Sequence, residues 1–376
     1  MHLGFALFKY FPFGGLQRDM LAIARVCVDR GYRVTIFCGA WEGERPNFLD
    51  IGVLPVSGLS NHRRDAVFAA SVPAAASAAG IDRLVGFNKM PGLDFYYAAD
   101  SCFAAKVAEE RSRYYGLTPR ARQFMRMERA IFAPKAKTEI LLISEPECEV
   151  YKRYYSTEPQ RMHLLPPGIR RDRIMPPDYA ARRTSFRQAQ GWRDEDTIVL
   201  FVGSGFRTKG LDRALHAFAA LCKSKHSQKH EFYVLGHDKA PPFAALAKGL
   251  NINEQVHFLG GVDHVVDYLW SADVLLHPAY RENTGTVLLE AMVAGLPVVT
   301  TEACGYAHYV RDAQMGEVLP QPFEQAKLNQ ALCNVLLAPP EPWREKARQF
   351  AGSSDIFSMP ERAADLVLQA LTSMEN

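Results

Sequence analysis

Between Pro278 and Thr301 the chain reads PAYRENTGTVLLEAMVAGLPVVTT. Glu282 and Glu290 stand eight positions apart, with Gly285 and Thr286 between them and an apolar run around the second, so a loop acid precedes an acid inside a helix. The pattern is that of a ligand site rather than of packing alone. The helix is expected to start near Thr284 to Gly285, where unpaired backbone N–H groups and the positive dipole end offer a place for phosphate. Gly295-Leu296-Pro297 should end it, since Gly suits a helix C-terminus and Pro cannot continue a helix. Val298 to Thr301 then reads as a short buried strand. Two surface acids on an ordinary amphipathic helix would share this spacing, but the HPAYxE lead-in and the AGLPVVTT exit argue against that reading.

The flanking sequence continues the alternation of strand and helix. Upstream, Val274 to His277 reads as the strand that delivers Glu282, and Val265 to Ser271 as a short helix. Thr197 to Gly203 is a strong strand, followed by Ser204-Gly205-Phe206-Arg207-Thr208-Lys209-Gly210 and a helix from Leu211. A glycine-rich turn ahead of a helix, with Lys209 at its mouth, suits a diphosphate, because backbone N–H groups and a point charge neutralise a leaving anion. Phe232–Leu235, Pro242–Leu250 and Val256–Leu259 read as strand, helix and strand, ending at Gly260-Gly261-Val262. Downstream, Cys304-Gly305-Tyr306-Ala307-His308-Tyr309 reads as a loop facing the ligand, with His308 favoured as a structural donor over a general base. Trp343–Ala351 and Pro360–Leu371 read as terminal helices.

The N-terminal half repeats the scheme. Leu3–Phe8 is a strand, Lys9-Tyr10-Phe11-Pro12-Phe13-Gly14-Gly15 a loop, Leu16–Arg30 a helix capped by Gly31, and Arg33–Cys38 a strand. Such a βαβ start with a Gly-Gly turn can bring backbone close to a phosphate or serve as a tight connection. Arg83–Phe87 is a further strand, and FNKMPGLDFYYAADSC after it reads as a loop at a strand's C-terminal end, where open α/β sheets bind ligands. From Phe103 to Ala133, Lys106, Arg111, Arg113, Arg120, Arg122, Arg126 and Arg129 alternate with Tyr114, Tyr115, Phe124, Met125 and Phe132, against Glu109, Glu110 and Glu128. Bases beside aromatics on helices suit an anionic membrane surface, and equally a solvated face whose aromatics pack inward. Glu139–Ser144 reads as a strand and Pro146–Tyr155 as a helix. Leu164-Leu165-Pro166-Pro167-Gly168-Ile169 leads into Arg170 to Tyr179, a Pro-rich, basic stretch that reads as the interdomain linker and carries Arg173, a candidate phosphate partner; Ser185–Gln190 should be the first helical segment of the second domain.

At 376 residues the chain exceeds what one core usually supports, so two α/β domains of roughly 170 residues each are expected. The net charge of +3 is too small to imply nucleic acid. Seven scattered cysteines without CxxC spacing suggest neither a disulfide framework nor a zinc site, which fits a reducing cytosol. The N-terminus lacks the features of a signal peptide. The most apolar long stretch, Ala66 to Ile81, is shorter than a membrane span and interrupted by Pro73, so any membrane contact is expected to be peripheral.

The segment from His277 to Thr301 resembles the E-x7-E signature of retaining glycosyltransferases of the GT-B fold, in group 1 (family GT4). KYFPFGGLQRD, FNKMPGLD, LPPGI, HPAYxExxGxVLLEA and CGYAHY together make the chain similar to the lipopolysaccharide core glucosyltransferase I group, the WaaG-like enzymes, over most of its length. The resemblance implies two Rossmann-like parallel-sheet domains facing across a cleft. Residues 1–170 would bind the acceptor and include a membrane-interacting segment at 103–133. Residues 171–355 would bind the nucleotide sugar, and a helix within 356–376 would cross back to the N-terminal domain.

By the same resemblance, Glu282 contacts the donor sugar and Glu290 the ribose, with Asn283 and Thr284 standing where the family has Gly and an aromatic. Gly285 and Thr286 open the helix beside the donor. Lys209 matches the lysine that holds the diphosphate. The family's arginine position falls near Ser204, leaving Arg207 or Arg173 to substitute. Gly261 and Val262 would read the uracil edge through backbone groups. Gly14, Gly15 and Asp19 would face the donor diphosphate and acceptor; Asp100 would lie near the donor sugar, with Asn88, Lys89 and Asp94 lining the cleft. Catalysis would rest on Glu282, Asp100 and Lys209. The implied reaction moves glucose from UDP-glucose to a heptose of the lipid A-core acceptor, at the cytoplasmic face of a Gram-negative inner membrane with an anionic surface. No metal or other cofactor is expected. Asp194-Glu195-Asp196 has the DxD form that carries a metal in the other glycosyltransferase fold, but it precedes a strand instead of following one and reads as a solvated turn. Rival readings are a group-1 transferase with another donor or glycolipid acceptor, a nucleotide-sugar epimerase, and a non-catalytic UDP-sugar-binding protein. A dehydrogenase is disfavoured because neither glycine turn gives GxGxxG with an acid about 20 residues on.

Overall fold

The computed structural model describes residues 1–12, 14–112, 114–223 and 229–369; Phe13, Arg113 and residues 370–371 of the expected last helix lie outside these. The chain forms two compact units, one of Met1–Gly168 together with the stretch from Ser358, the other of Ile169–Phe357.

The first unit begins with β1 (His2–Leu7), α1 (Gly15–Asp29), β2 (Arg33–Cys38) and β3 (Asp50–Val53). α2 (Asn61–Ala78), β4 (Arg83–Gly86) and β5 (Phe95–Ala98) follow. The unit continues through α3 (Phe103–Glu110), α4 (Pro119–Phe132), β6 (Glu139–Leu142), α5 (Glu145–Tyr155) and β7 (Met162–Leu164). Its strands pair in parallel in the order β3-β2-β1-β4-β5-β6-β7. Strands such as β1 and β6 are nearly continuous apolar runs because helices cover both faces of the sheet. Met20, Ile23 and Cys27 of α1 seal one face. Phe68 and Val72 of α2, Ile131 and Phe132 of α4 and Tyr151 of α5 seal the other.

The second unit runs through α6 (Tyr179–Ala189), β8 (Thr197–Val202), α7 (Leu211–Cys222), β9 (His230–Leu235) and α8 (Pro241–Gly249). Next come β10 (Val256–Gly260), α9 (Val265–Ser271), β11 (Val274–His277), α10 (Thr286–Val293) and β12 (Val298–Thr301). α11 (Ala307–Asp312), β13 (Gly316–Leu319), α12 (Gln325–Leu337) and α13 (Glu341–Ser353) complete it. The strand order is β10-β9-β8-β11-β12-β13, again parallel. Finally α14 (Met359–Gln369) packs back into the first unit. There Arg30 pairs with Asp365 at 2.7 Å, and Arg83 Nη1 donates to the Val367 carbonyl.

Four local readings change. FYYA, taken as loop, is β5 in mid-sheet, with Tyr96 and Tyr97 fully buried. Asp94 sits at the start of β5, where its carboxylate accepts from the Leu84 N–H (2.7 Å) and its carbonyl from the Glu139 N–H (2.8 Å). That places Asp94 at the N-terminal ends of the strands, opposite the end where such sheets take ligands, so it ties the sheet instead of lining a ligand site. Glu128, counted with the surface charges, has no exposure at all. Its carboxylate accepts from Lys89 Nζ (2.5 Å), the Phe103 and Ala104 N–H groups and Tyr155 Oη, and so fastens the N-terminus of α3 onto α4. Phe132 is buried against Tyr151, with ring centroids 3.7 Å apart. Lastly, α6 begins at Tyr179, inside the stretch read as linker.

Candidate active site

A parallel sheet binds ligands at the carboxyl ends of its strands, where the strand order reverses. In the second unit that point lies between β8 and β11. The loop after β8 carries Lys209 and the loop after β11 carries Glu282, so the topology delivers both to one spot. Lys209 Nζ lies 2.5 Å from Glu282 Oε2, with about a fifth of each side chain exposed. Burial alone would raise the Glu282 acid, but the neighbouring His277 ring and the Lys209 ammonium more than offset it and bring it down to about 2. The carboxylate is therefore ionised at neutral pH.

Glycines make this approach possible. Gly210, at φ +75°, precedes α7, and a Cβ there would sit 2.1 Å from the Pro278 carbonyl oxygen. Any side chain at Gly203 would likewise meet Lys209, whose Cδ, Cε and Nζ lie 3.0–3.1 Å from that Cβ position. Backbone bonds hold the Glu282 loop: its N–H donates to the Ala303 carbonyl (3.0 Å), its carbonyl accepts from Gly305, and the Thr284 carbonyl accepts from Tyr306. Asn283 and Thr284 are partly exposed in this loop. Gly285 (φ +84°) then opens α10, with Thr286 at its first position.

Glu290 lies one helical turn beyond Thr286 on α10, buried, and Arg173 Nε stands 3.7 Å from its Oε1. The candidate diphosphate arginine Arg173 is thus set against Glu290. Arg207 is exposed on the glycine-rich turn, and Ser204 Oγ accepts from the His237 N–H (3.2 Å), tying that turn to the loop after β9. Gly261 packs against the His237 ring, and Val262 joins the apolar cluster beneath. His308 is the second residue of α11 instead of lying in a loop, and its Nδ1 sits 3.0 Å from the Gly305 carbonyl.

Sequence reasoning overlooked His277, the last residue of β11. It is fully buried 3.6 Å from Glu282 Oε2, and its pKa is lowered by burial, leaving a neutral imidazole. The signal was present as the single polar residue closing an otherwise apolar strand.

In the first unit the order reverses between β1 and β4. The Gly14-Gly15 turn follows β1, and Asn88 after β4 accepts from the Phe8 N–H (2.7 Å). A Cβ at Gly14 would collide with Gln17 Oε1 at 1.8 Å. Asp19, on α1, accepts from Tyr97 Oη (2.9 Å) and pairs with Arg18; burial raises its pKa. Asp100 is exposed just beyond β5, its carbonyl accepting from Tyr151 Oη. Lys89 is committed to Glu128 and the Ser101 carbonyl.

Asp194-Glu195-Asp196 lies at the N-terminal end of β8, beside a cavity of about 320 Å³ also lined by Arg183 and Trp343, away from Glu282 and Lys209. Asp196 is occupied by the Arg193 N–H and guanidinium. Among the described residues no group of three or more His, Cys, Asp or Glu is placed to hold a metal ion.

Comparison with known proteins follows the same division. Residues 182–351 match the family model of glycosyl transferases group 1, and residues 13–173 that of glycosyltransferase family 4. The chain is 43% identical, over 99% of its length and 100% of the relative's, to the lipopolysaccharide glucosyltransferase WaaG of Escherichia coli K12. It superposes on a crystal structure of WaaG, a glycosyltransferase involved in lipopolysaccharide biosynthesis, with a TM-score of 0.92 at 42% identity, covering 97% of this chain and 99% of that one. HepE of Anabaena, solved in complex with UDP-glucose, shares the fold with a TM-score of 0.74 at 15% identity, covering 99% of this chain and 100% of that one.

Proposed function

Because the chain belongs to the group-1, family 4 glycosyltransferases that include WaaG, we propose that it transfers glucose from UDP-glucose to a heptose of the lipopolysaccharide inner core, with retention at the anomeric carbon. The observation that carries this reading is the identity to a lipopolysaccharide glucosyltransferase along the full length of both chains.

Breaking the anomeric bond creates an oxocarbenium-like centre and a diphosphate anion, so placed charges supply most of the rate. Lys209, the exposed Arg207 and the N-terminal amides of α10 take the diphosphate. Arg173 instead steadies Glu290, which holds the ribose. Glu282, ionised throughout the neutral range, accepts from the sugar hydroxyls and favours the developing cation. No side chain of the set is a covalent nucleophile in this scheme; the acceptor attacks on the face the leaving group departs from, with a donor phosphate oxygen taking its proton. The first unit, with Gly14, Gly15, Asp19 and Asp100, takes the acceptor. No metal enters the scheme.

No described helix is long and apolar enough to cross a membrane. Arg120, Arg122, Arg126 and Arg129 are exposed on α4, with Tyr114 and Leu117 exposed before it. These suit a peripheral, electrostatic hold on the anionic inner-membrane surface where a lipid-anchored acceptor resides.

The test is UDP release from a panel of nucleotide sugars with a heptosylated core acceptor, with and without EDTA. Release from UDP-glucose alone, unaffected by EDTA, is expected. Release from another donor instead would assign a different group-1 transferase, and conversion of the donor without acceptor would assign an epimerase.

A further inference from the structure

His277 is a costly residue where it stands. It is fully buried at the end of β11, with Phe201 stacked 5.8 Å from its ring. Its backbone is fixed, the carbonyl accepting from Thr300 Oγ1 (2.9 Å) and from the Ala279 N–H (3.0 Å). Neither ring nitrogen has a hydrogen-bond partner. An apolar ring would fill the same space without burying two unsatisfied polar atoms. Nε2 is nonetheless aimed at Glu282 Oε2 from 3.6 Å, just beyond hydrogen-bond reach. That oxygen is the one Lys209 holds at 2.5 Å.

We infer that His277 is a positioning residue that takes over Glu282 Oε2 when a nucleotide diphosphate draws Lys209 away. The inference rests on the donor-binding reading of Lys209 and Glu282 above. Lys209 lies over Gly203 at the mouth of the glycine-rich turn, where a diphosphate offers more negative charge than one carboxylate. Once the ammonium turns to the phosphates, Oε2 loses its partner in a mostly buried site. The Nε2–H of the neutral imidazole closes the short remaining gap and replaces it. Glu282 keeps its orientation, with Oε1 left for the sugar hydroxyls. The Lys209–Glu282 pair is then a resting arrangement, and the orphaned imidazole is the reserve donor for the loaded one.

Two experiments decide it. In wild-type protein labelled with ¹⁵N-histidine, the His277 ring signals, assigned by their loss in His277→Gln, are followed while UDP is added. An Nε2–H tautomer whose proton moves to a hydrogen-bonded shift as UDP saturates is expected; an Nδ1–H tautomer, or signals unmoved by UDP that calorimetry shows to be bound, overturns the inference. In the second, His277→Gln, whose amide nitrogen reaches the place of Nε2, is compared with His277→Asn, whose amide falls at Nδ1, and with His277→Phe. Asn and Phe should lower kcat roughly tenfold to a hundredfold at unchanged UDP affinity, as loss of a hydrogen bond to a charged group does, and Gln should restore most of it. Equal losses in all three, full turnover in His277→Phe, or a parallel loss of UDP affinity overturns it. Wild-type protein that binds UDP but transfers nothing from UDP-glucose counts against the donor reading, and the labelled-ring experiment with UDP still decides the role of His277. Protein that does not bind UDP contradicts both.

Discussion

Glu282 and Lys209 meet because two loops leave the adjacent parallel strands β8 and β11 at their carboxyl ends. Replacing Glu282 with Ala should lower transfer by roughly two to three orders of magnitude, the scale of losing one preorganised electrostatic group, while circular dichroism and UDP affinity stay near wild type. Unchanged turnover would remove Glu282 from the chemistry. The pair also makes stability depend on pH. The Glu282 acid is brought from 4.5 in an ordinary setting to about 2 in the fold. An acid depressed by folding contributes stability that is full above its unfolded value and lost as pH falls toward its folded one. The melting-temperature advantage of wild type over Glu282→Gln should therefore hold steady above about pH 5 and shrink below it; an advantage that does not change with pH would show that His277 and Lys209 together do not hold the Glu282 acid down in the fold. Glu282, Glu290 and Lys209 were legible in sequence because acids and glycines at set spacing around a helix start have a chemical reason. His277 showed in sequence only as the one polar residue closing an apolar strand; its role comes from its surroundings, and those are supplied by β8 and β12 as much as by β11.

At the scale of elements, Glu128 shows how one buried carboxylate organises a segment. It joins α3 to α4 by accepting from two N-terminal amides of α3, from Tyr155 and from Lys89, whose side chain is only 11% exposed. Its pKa is lowered, since Lys89 and the amides together overcome the burial that would raise it. Glu128→Ala leaves Lys89 buried without its counter-charge and should destabilise the first unit by about 3–5 kcal/mol, measured by urea unfolding. A loss under about 1 kcal/mol would mean water reaches the ammonium. Periodicity could not assign Glu128 to the core, because α4 is dense in charge and its one buried acid is chosen by the neighbouring α3. Similarly, FYYA passed for a loop because its polar flanks hid a four-residue strand, and α12 and β13 went unnoticed in sequence without strong caps. β2, α9, β11 and β12, by contrast, lie where their apolar runs and bounding turns put them.

For the molecule as a whole, two parallel sheets with covered faces leave only loops and strand ends for chemistry, and the chain distributes its ligand-binding features there. The exposed arginines of α4 carry the proposed hold on an anionic membrane surface. Sedimentation with vesicles containing anionic lipid should carry the wild-type protein down at low salt and release it as salt rises. Changing Arg122, Arg126 and Arg129 together to Ser should weaken that binding by about 3 kcal/mol, near 1 kcal/mol per base, without changing UDP affinity. Equal binding of the triple variant, or no binding by the wild-type protein, would contradict that role for α4. The central claim is hexose transfer, and mass spectrometry of a heptosylated core acceptor incubated with the protein and UDP-glucose, beside other nucleotide sugars, tests it most directly. The account predicts a gain of one hexose with UDP-glucose alone, lost in Glu282→Ala. A folded, UDP-binding protein that adds no hexose from any donor, or adds one only from a different donor, would contradict it.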